Sequence, residues 1–339
     1  MDGPAPDPLP PRFADWFARR GWSAHPHQLE LLRRSGTGGA DLLVAPTGGG
    51  KTLAGFLPTL VALETDPPKG LHTLYVSPLK ALAADIRRNL ARPIEEMALP
   101  IRVEDRTGDT PQSARKRQRA DPPHILLTTP ESLALLLSYE DSPRLFSTLR
   151  RVVVDEAHAL RESKRGDQLT LALARLETLA PGLETVGLSA TVEDPAALAH
   201  WLRPTGARVL EADPGPPPDI AMLEAETPPP WAGQGGRHAA RAVMEEIRKS
   251  LTTLVFHNTR AQCELFFQAL WQVNDEALPI GIHHGSLDRE ARQRVEAAMA
   301  EGALRAVVCT GSLDLGIDWG DVDLVIQVGA PKNVKRLVQ

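Results

Sequence analysis

Cysteine is nearly absent from this 339-residue chain. The two present, Cys263 and Cys309, stand far apart and have no zinc-ligand spacing, so neither a disulfide framework nor a zinc finger is expected. They read as buried thiols of a reducing cytoplasm. No uninterrupted apolar run reaches membrane-spanning length, so no transmembrane helix and no membrane partner are expected. The Pro-rich, acidic first residues lack the makeup of a signal peptide. An excess of positive charge is also missing. The formal net charge is -5, so overall charge does not point to nucleic acid. Basic residues cluster only locally, as in Arg115-Lys116-Arg117 with Arg119 and Arg161 with Lys164-Arg165, and each cluster alone reads as a solvated face.

What is present is a long alternation of apolar strands and helical patterns. The length suits two domains. Residues 1–12 hold five prolines and read as a flexible tail. From Phe13 to residue 203 the predicted strands are Leu42-Ala45, Leu71-Val76, Ile101-Val103, Ile125-Thr128, Val152-Asp155 and Thr185-Ser189, with helices between most of them. This alternation predicts an α/β domain with a parallel sheet covered on both faces. Residues 204–236, with two triple-proline runs and Gly235-Gly236, read as a connection that holds short apolar pieces at Val209-Leu210 and Ile220-Leu223. From 237 to 339 the pattern resumes with strands Thr253-Phe256, Ile280-His283, Ala306-Cys309 and Leu324-Val328. The His283-His284 pair suggests a metal, but adjacent strand residues point to opposite faces, so no structural metal is expected there.

Two motifs carry chemistry. Ala45-Pro46-Thr47-Gly48-Gly49-Gly50-Lys51-Thr52 joins an apolar strand to a helix-favouring run. The glycines let backbone N–H groups converge on one point, where they and a helix N-terminus suit a phosphate. In such a loop Lys51 reaches the β- and γ-phosphates and the Thr52 hydroxyl helps to hold Mg²⁺. The second motif is Val152-Val153-Val154-Asp155-Glu156-Ala157-His158. A buried strand ending in two carboxylates is costly unless they meet a cation. Asp155 is therefore expected to serve Mg²⁺, through water, and Glu156 to polarise an attacking water. Gln28, upstream of the phosphate loop, can donate and accept at once, as the edge of adenine requires.

Taken in order, these and the remaining strand-end motifs resemble the superfamily 2 DExH-box helicases, ATP-driven motors with two RecA-like domains. The resemblance covers nearly the whole chain. It runs from Gln28 through the phosphate loop to Ser77-Pro78-Leu79-Lys80, then Thr107-Gly108, Thr129-Pro130-Glu131, the box Asp155-Glu156-Ala157-His158 and Ser189-Ala190-Thr191. It continues with Phe256-His257-Asn258-Thr259-Arg260, His284-Gly285 and Thr310 to Asp318. Within that superfamily the chain is similar to the Lhr-like group, and there to the bacterial DNA-ligase-associated DEXH-box helicases. Trp16 to Trp22, Arg106 to Pro111, Ser163 to Asp167, His283 to Leu287 and Ser312 to Gly320 carry this finer likeness.

The resemblance implies ATP and Mg²⁺ as cofactors and a catalytic set of Lys51, Asp155 and Glu156. ATP is held by Gln28, Thr47, Gly48, Gly49, Gly50, Lys51 and Thr52, with Gly316 and Asp318 reaching it from the second domain. His158, Ser189 and Thr191 couple hydrolysis to movement. Pro78, Lys80, Thr107, Gly108, Thr129, Pro130, Asn258, Arg260, His284, Gly285 and Thr310 contact nucleic acid. It further implies translocation 3′ to 5′ on single-stranded or partly duplex DNA, in DNA repair, with DNA ligase and nuclease partners. An RNA-remodelling ATPase and a non-catalytic nucleotide-gated binder are the alternatives on the same fold. The family's motif VI should begin near Gln339, and residues 1–339 contain no Arg-Gly-Arg segment. The chain is therefore expected to be a fragment with an incomplete second sheet that binds ATP·Mg²⁺ and hydrolyses it poorly.

Overall fold

The computed structural model describes residues 9–46, 48–65, 67–78, 80–190, 192–214, 219–225, 228, 235–311, 313 and 322–331. The chain divides near residue 215 into two units. In the first, α1 (Pro11–Arg19) and α2 (Pro26–Arg34) each open on a proline, whose fixed φ suits the first helical turn. α1 buries Phe13, Trp16 and Phe17. Then follow β1 (Gly39–Val44), α3 (Lys51–Ala62), β2 (Thr73–Val76), α4 (Lys80–Glu96), β3 (Val103–Arg106) and α5 (Gln112–Ala120). Next come β4 (Ile125–Thr128), α6 (Pro130–Leu137), α7 (Ser142–Phe146), β5 (Arg151–Val154), α8 (Ala157–Arg161) and α9 (Lys164–Leu179). β6 (Glu184–Ser189), α10 (Pro195–Leu202) and β7 (Ala207–Glu211) close the unit.

The seven strands form one parallel sheet in the order β3-β4-β2-β5-β6-β1-β7. Its central strands are buried on both faces. Leu42, Val44, Leu74, Val76, Val152 and Val154 pack into the core under α6 to α10. Leu43, Tyr75, Val153 and Leu188 pack into the opposite core with α1, α3 and α4. Helices on both faces explain the continuous apolar runs.

The two edge strands depart from the sequence reading. The expected strand at Ile101-Val103 runs instead from Val103 to Arg106. The Val209-Leu210 piece assigned to the connection belongs to β7, which pairs with β1 from Ala40↔Ala207 to Val44↔Glu211. The first unit therefore extends past 203, and the connection starts after Ala212, whose N–H still donates to Val44 O. An edge strand is covered less fully, so Glu104, Asp105 and Arg208 are tolerated and the apolar signal fades. Ile220 to Leu223 forms no strand, and Ile220 and Met222 are exposed.

In the second unit a 3₁₀ turn (Arg237–Ala239) leads into α11 (Ala240–Lys249), β8 (Thr253–Phe256), α12 (Arg260–Gln272), β9 (Ile280–His283), α13 (Arg289–Ala300), β10 (Ala306–Cys309) and β11 (Leu324–Gln327). These strands form a parallel sheet in the order β11-β8-β10-β9. Cys263 and Cys309 are both buried, on opposite faces of it. Burial pushes the Cys263 thiol up to about 12, so it is inert packing. Among the described residues no helix is long and apolar enough to cross a membrane.

Each unit holds an imidazole in its neutral form. His72 is pushed down to about 4 by burial and by Arg151 and Arg150, and His257 is pushed down to about 4 by burial. The unfolded chain then binds the extra proton between about pH 4 and 6.5. This part of the stability is complete above 6.5 and is lost as pH falls through the window, by up to about 1.4 kcal/mol per pH unit for each group. His257→Asn is expected to flatten the acid limb of urea-denaturation stability for the second unit. An unchanged pH slope would show that His257 is not held neutral.

Candidate active site

Apart from Gln28 in α2, the motifs of the first unit lie at the carboxyl ends of strands, where ligands bind in open parallel sheets. Strand order sorts them. β5, β6 and β1 are neighbours, and the residues after them are Asp155-Glu156, Ala190 and the phosphate loop. β3, β4 and β2 are neighbours too, followed by Thr107-Gly108, Thr129-Pro130 and Ser77-Pro78. One half of the sheet edge thus gathers the expected nucleotide residues and the other half the expected strand-binding residues.

In the phosphate loop Gly48 and Gly50 adopt φ of 78° and 69°, which side chains disfavour. A Cβ on Gly49 would meet Pro46 O at 3.0 Å. Lys51, at the first residue of α3, donates from Nζ to Ala45 O (3.0 Å) and Pro46 O (2.8 Å). Burial lowers its pKa, while Glu156 and Asp155 hold its proton on. Thr52 follows in the same first turn.

Gln28 is buried in α2. Its Oε1 accepts from His25 N (2.8 Å) and its Nε2 donates to Gly50 O (3.2 Å). The glutamine expected to read adenine therefore also braces the phosphate loop. His27 does the same, with Nε2 2.8 Å from Gly49 O and its ring stacked on His25.

Asp155 and Glu156 are both buried. Asp155 accepts hydrogen bonds from the Tyr75 hydroxyl and from Glu156 N, the latter at 2.8 Å. Burial raises its pKa against those donors and against Lys51. Glu156 is pushed up to about 7 by burial and by the Asp155 charge, with Lys51 opposing. Glu156 has φ of 48° and caps α8. One turn on, His158 Nε2 lies 3.4 Å from Glu156 Oε2 and His158 Nδ1 lies 3.1 Å from Ser189 Oγ. The box and the Ser189 motif thus meet through one imidazole. Two buried carboxyl groups in the field of one ammonium form a donor set that fits a divalent cation.

At the other half, Thr107 and Thr110 close a turn through Thr107 N and Thr110 Oγ1 (2.9 Å). Arg115 Nη2 supports it by donating to Thr107 O (3.0 Å) and Gly108 O (2.7 Å). Arg119 lies 3.9 Å over the Tyr139 ring and pairs with Asp141 at 2.8 Å. These two arginines are structural, which corrects the solvated-face reading of their cluster; Lys116 and Arg117 are exposed as expected. Thr129 caps α6, and Pro130 is that helix's first residue. Lys80 begins α4.

In the second unit Asn258 Nδ2 donates to Ala330 O (2.7 Å) and Arg260 Nη1 to Ser286 Oγ (2.6 Å). His284 is buried, with Nε2 3.2 Å from Glu264 Oε1, and Gly285 faces open space. His283 Nε2 lies 3.2 Å from Glu296 Oε1 instead. Thr310 N donates to His283 O at 3.2 Å. Thr47, Thr191, Gly316 and Asp318 lie outside the described residues.

Comparison with known families agrees with this layout. Residues 25–198 match the DEAD/DEAH box helicase model, and residues 238–339 match the helicase conserved C-terminal domain. The chain belongs to the DEAD/DEAH box helicases. It is 36% identical to the Lhr helicase/probable uracil glycosylase of Mycolicibacterium smegmatis, over 96% of this chain and 25% of that protein. It is 35% identical to the ATP-dependent helicase Lhr-Core of Methanocaldococcus jannaschii, over 96% and 40% respectively. The solved structure of Mycobacterium smegmatis helicase Lhr bound to ssDNA and AMP-PNP matches with a TM-score of 0.82 and 36% identity, covering 98% of this chain and 46% of that one. This helicase chain thus spans between a quarter and two fifths of the length of those curated relatives.

The structure adds residues that sequence reasoning did not single out for this site. Tyr75, one of two tyrosines in the helicase chain, sends its hydroxyl to Asp155 from the buried strand β2, and a tyrosine in a fully buried strand was the available signal. Gly166 is another. A Cβ there would stand 2.2 Å from Leu160 O and 2.8 Å from Leu160 C, so only glycine lets the first turn of α9 rest on α8. Gly166→Ala is expected to lower stability by about 1–3 kcal/mol, because backbone cannot yield as a flexible side chain would. A wild-type urea midpoint would show that α8 and α9 do not meet this closely.

Proposed function

We propose that this chain is the motor core of an ATP-dependent DNA helicase or translocase. The observation that carries the reading is that Lys51, Asp155 and Glu156 follow the carboxyl ends of β1 and β5, with the charges of two buried carboxylates acting on one ammonium. Lys51 would leave Ala45 O and Pro46 O to grip the phosphates. Glu156, with its pKa near neutrality, suits a group that orients water and accepts its proton. Tyr75 and the Glu156 N–H fix the Asp155 carboxylate, and Thr52 completes the set for Mg²⁺. When bound, Mg²⁺ would supply charge stabilisation at the phosphates. His158 and Ser189 would pass the state of Glu156 to neighbouring strands. The loops of Pro78, Lys80, Thr107, Gly108, Thr129 and Pro130, with Asn258, Arg260, His284, Gly285 and Thr310 of the second unit, would hold a strand mainly by its phosphates. Such binding is sequence-independent and salt-sensitive.

The finer reading is single-stranded or partly duplex DNA as track, 3′ to 5′ movement, a role in cytoplasmic DNA repair, and ligase and nuclease partners. The likeness to the Lhr helicases and the motifs shared with DNA-ligase-associated helicases support it. Gly316 and Asp318 would complete the nucleotide contacts. Residues 1–339 by themselves would bind ATP·Mg²⁺ and turn it over slowly, since an arginine finger is worth about 10³–10⁵ in rate and no motif VI arginine is among them.

The test is ATP binding and hydrolysis, with and without single-stranded DNA, on residues 1–339 and on a longer chain carrying motif VI. Lys51→Ala is expected to weaken ATP binding by about ten- to a hundredfold, the scale of charge-assisted hydrogen bonds. Stimulation of the longer chain by DNA supports the helicase reading. Stimulation by RNA alone would replace it with an RNA-remodelling ATPase. Binding without turnover in both chains would leave a nucleotide-gated binder.

A further inference from the structure

The Lys164-Arg165 pair reads from sequence as solvated, yet Arg165 is half-buried and each nitrogen of its guanidinium makes a hydrogen bond. Its Nε and Nη2 fork the Glu131 carboxylate, the second contact at 2.9 Å, and its Nη1 donates to the Pro78 carbonyl. One side chain at the start of α9 thus ties together the loop after β2 and the first turn of α6. Those are two of the proposed strand-binding loops, Pro78 and Thr129-Pro130. The base of this clamp is rigid. Ser163 caps α9, its hydroxyl accepting from Gly166 N at 3.3 Å. Gly166 rests directly on the backbone of Leu160. Leu160 belongs to α8, the five-residue helix capped by Glu156. Between Glu156 and Arg165 the chain therefore consists of one short helix and one capped turn.

We infer that Arg165 is a positioning residue that makes the Pro78 and Thr129-Pro130 loops one body and joins that body, through α8, to Glu156. This rests on the reading of those loops as the strand-binding face. Arg165 is assigned to positioning rather than to phosphate contact because each of its three guanidinium nitrogens already donates to Glu131 or Pro78. Glu131 is held ionised to about 2 by Arg165, so the fork persists through the neutral range. A lysine cannot reproduce a bidentate fork plus a carbonyl contact, so Arg165→Lys is expected to fall between wild type and alanine.

The test uses the full chain and two probes, a fluorescein-labelled oligo-dT followed by anisotropy and a fluorescent ATP analogue. Arg165→Ala and Glu131→Gln are each expected to weaken oligo-dT binding by about tenfold, the scale of a coupling between neighbouring groups. ATP-analogue affinity should stay within twofold of wild type in both. The charge swap R165E/E131R is expected to recover part of the lost DNA affinity, since it restores the carboxylate fork but leaves no donor at 165 for the Pro78 carbonyl. Loss that persists in the swap, with Glu131→Gln binding like wild type, would make Arg165 a direct phosphate contact and overturn the inference. Equal loss of both ligands, or oligo-dT binding unchanged in Arg165→Ala, would overturn it as well. If the unsubstituted chain binds no oligo-dT, the helicase reading itself falls, an outcome distinct from a failure of Arg165 alone.

Discussion

The structure depends on two buried carboxylates whose charges act on one ammonium group. Asp155 and Glu156 leave the end of β5 inside the protein, where an unpaired charge would be intolerable. Tyr75 and a backbone N–H satisfy Asp155, and Lys51 faces both acids. The compensation is incomplete: burial first, and then the Asp155 charge, push the Glu156 carboxyl up to about 7 against Lys51. A site left short of positive charge is poised for a cation. The phosphate loop is held ready in the same way, with Lys51 lodged on its own loop carbonyls and Gln28 and His27 bracing Gly50 and Gly49.

Parallel topology converts that local arrangement into a division of labour. With order β3-β4-β2-β5-β6-β1-β7, the motifs proposed to hold nucleotide fall on one side of the β2–β5 junction and those proposed to bind a strand on the other. Register ties the halves together: Val76 pairs with Val154 across that junction, so Ser77 and Asp155 leave the sheet side by side. Coupling then needs only short-range parts. Tyr75 reaches Asp155 from β2, and His158 reaches Ser189 from α8. Arg165 reaches Pro78 and Glu131 from the start of α9.

The central strands were legible because burial on both faces demands unbroken apolar runs; Ile125-Thr128, Thr253-Phe256 and Ala306-Cys309 fall where the sequence places them. The edge strands β3 and β7 were not, because half-covered strands accept Glu104, Asp105 and Arg208. Phosphate-loop residues and the acid pair were legible because their chemistry is local in sequence. Tyr75, His27, Arg115 and Arg165 were hidden because their roles come from partners 80, 22, 8 and 34 residues away. A basic residue near other basic residues looks solvated until its carbonyl or carboxylate partner is in view.

Backbone conformation carries the same logic. Among the described residues three non-glycines adopt positive φ: Ala98, Glu156 and Ala277. Ala98 follows α4, where Leu99 N donates back to Ile94 O at 2.8 Å, a helix-ending turn that favours the left-handed conformation. Ala277 lies in the turn where Asn274 brackets Leu278. Glu156 ends no helix. Its φ of 48° turns the chain from β5 straight into α8, aims its N–H at Asp155 Oδ1 and keeps its carboxylate buried near Lys51. A left-handed residue costs on the order of 1 kcal/mol or more, and a glutamate gives up freedom that glycine would keep. Glycine would relieve the backbone and remove the carboxylate. The strain is retained at the one position where conformation and chemistry must both be held, and it marks Glu156 as the residue around which the acid pair is built.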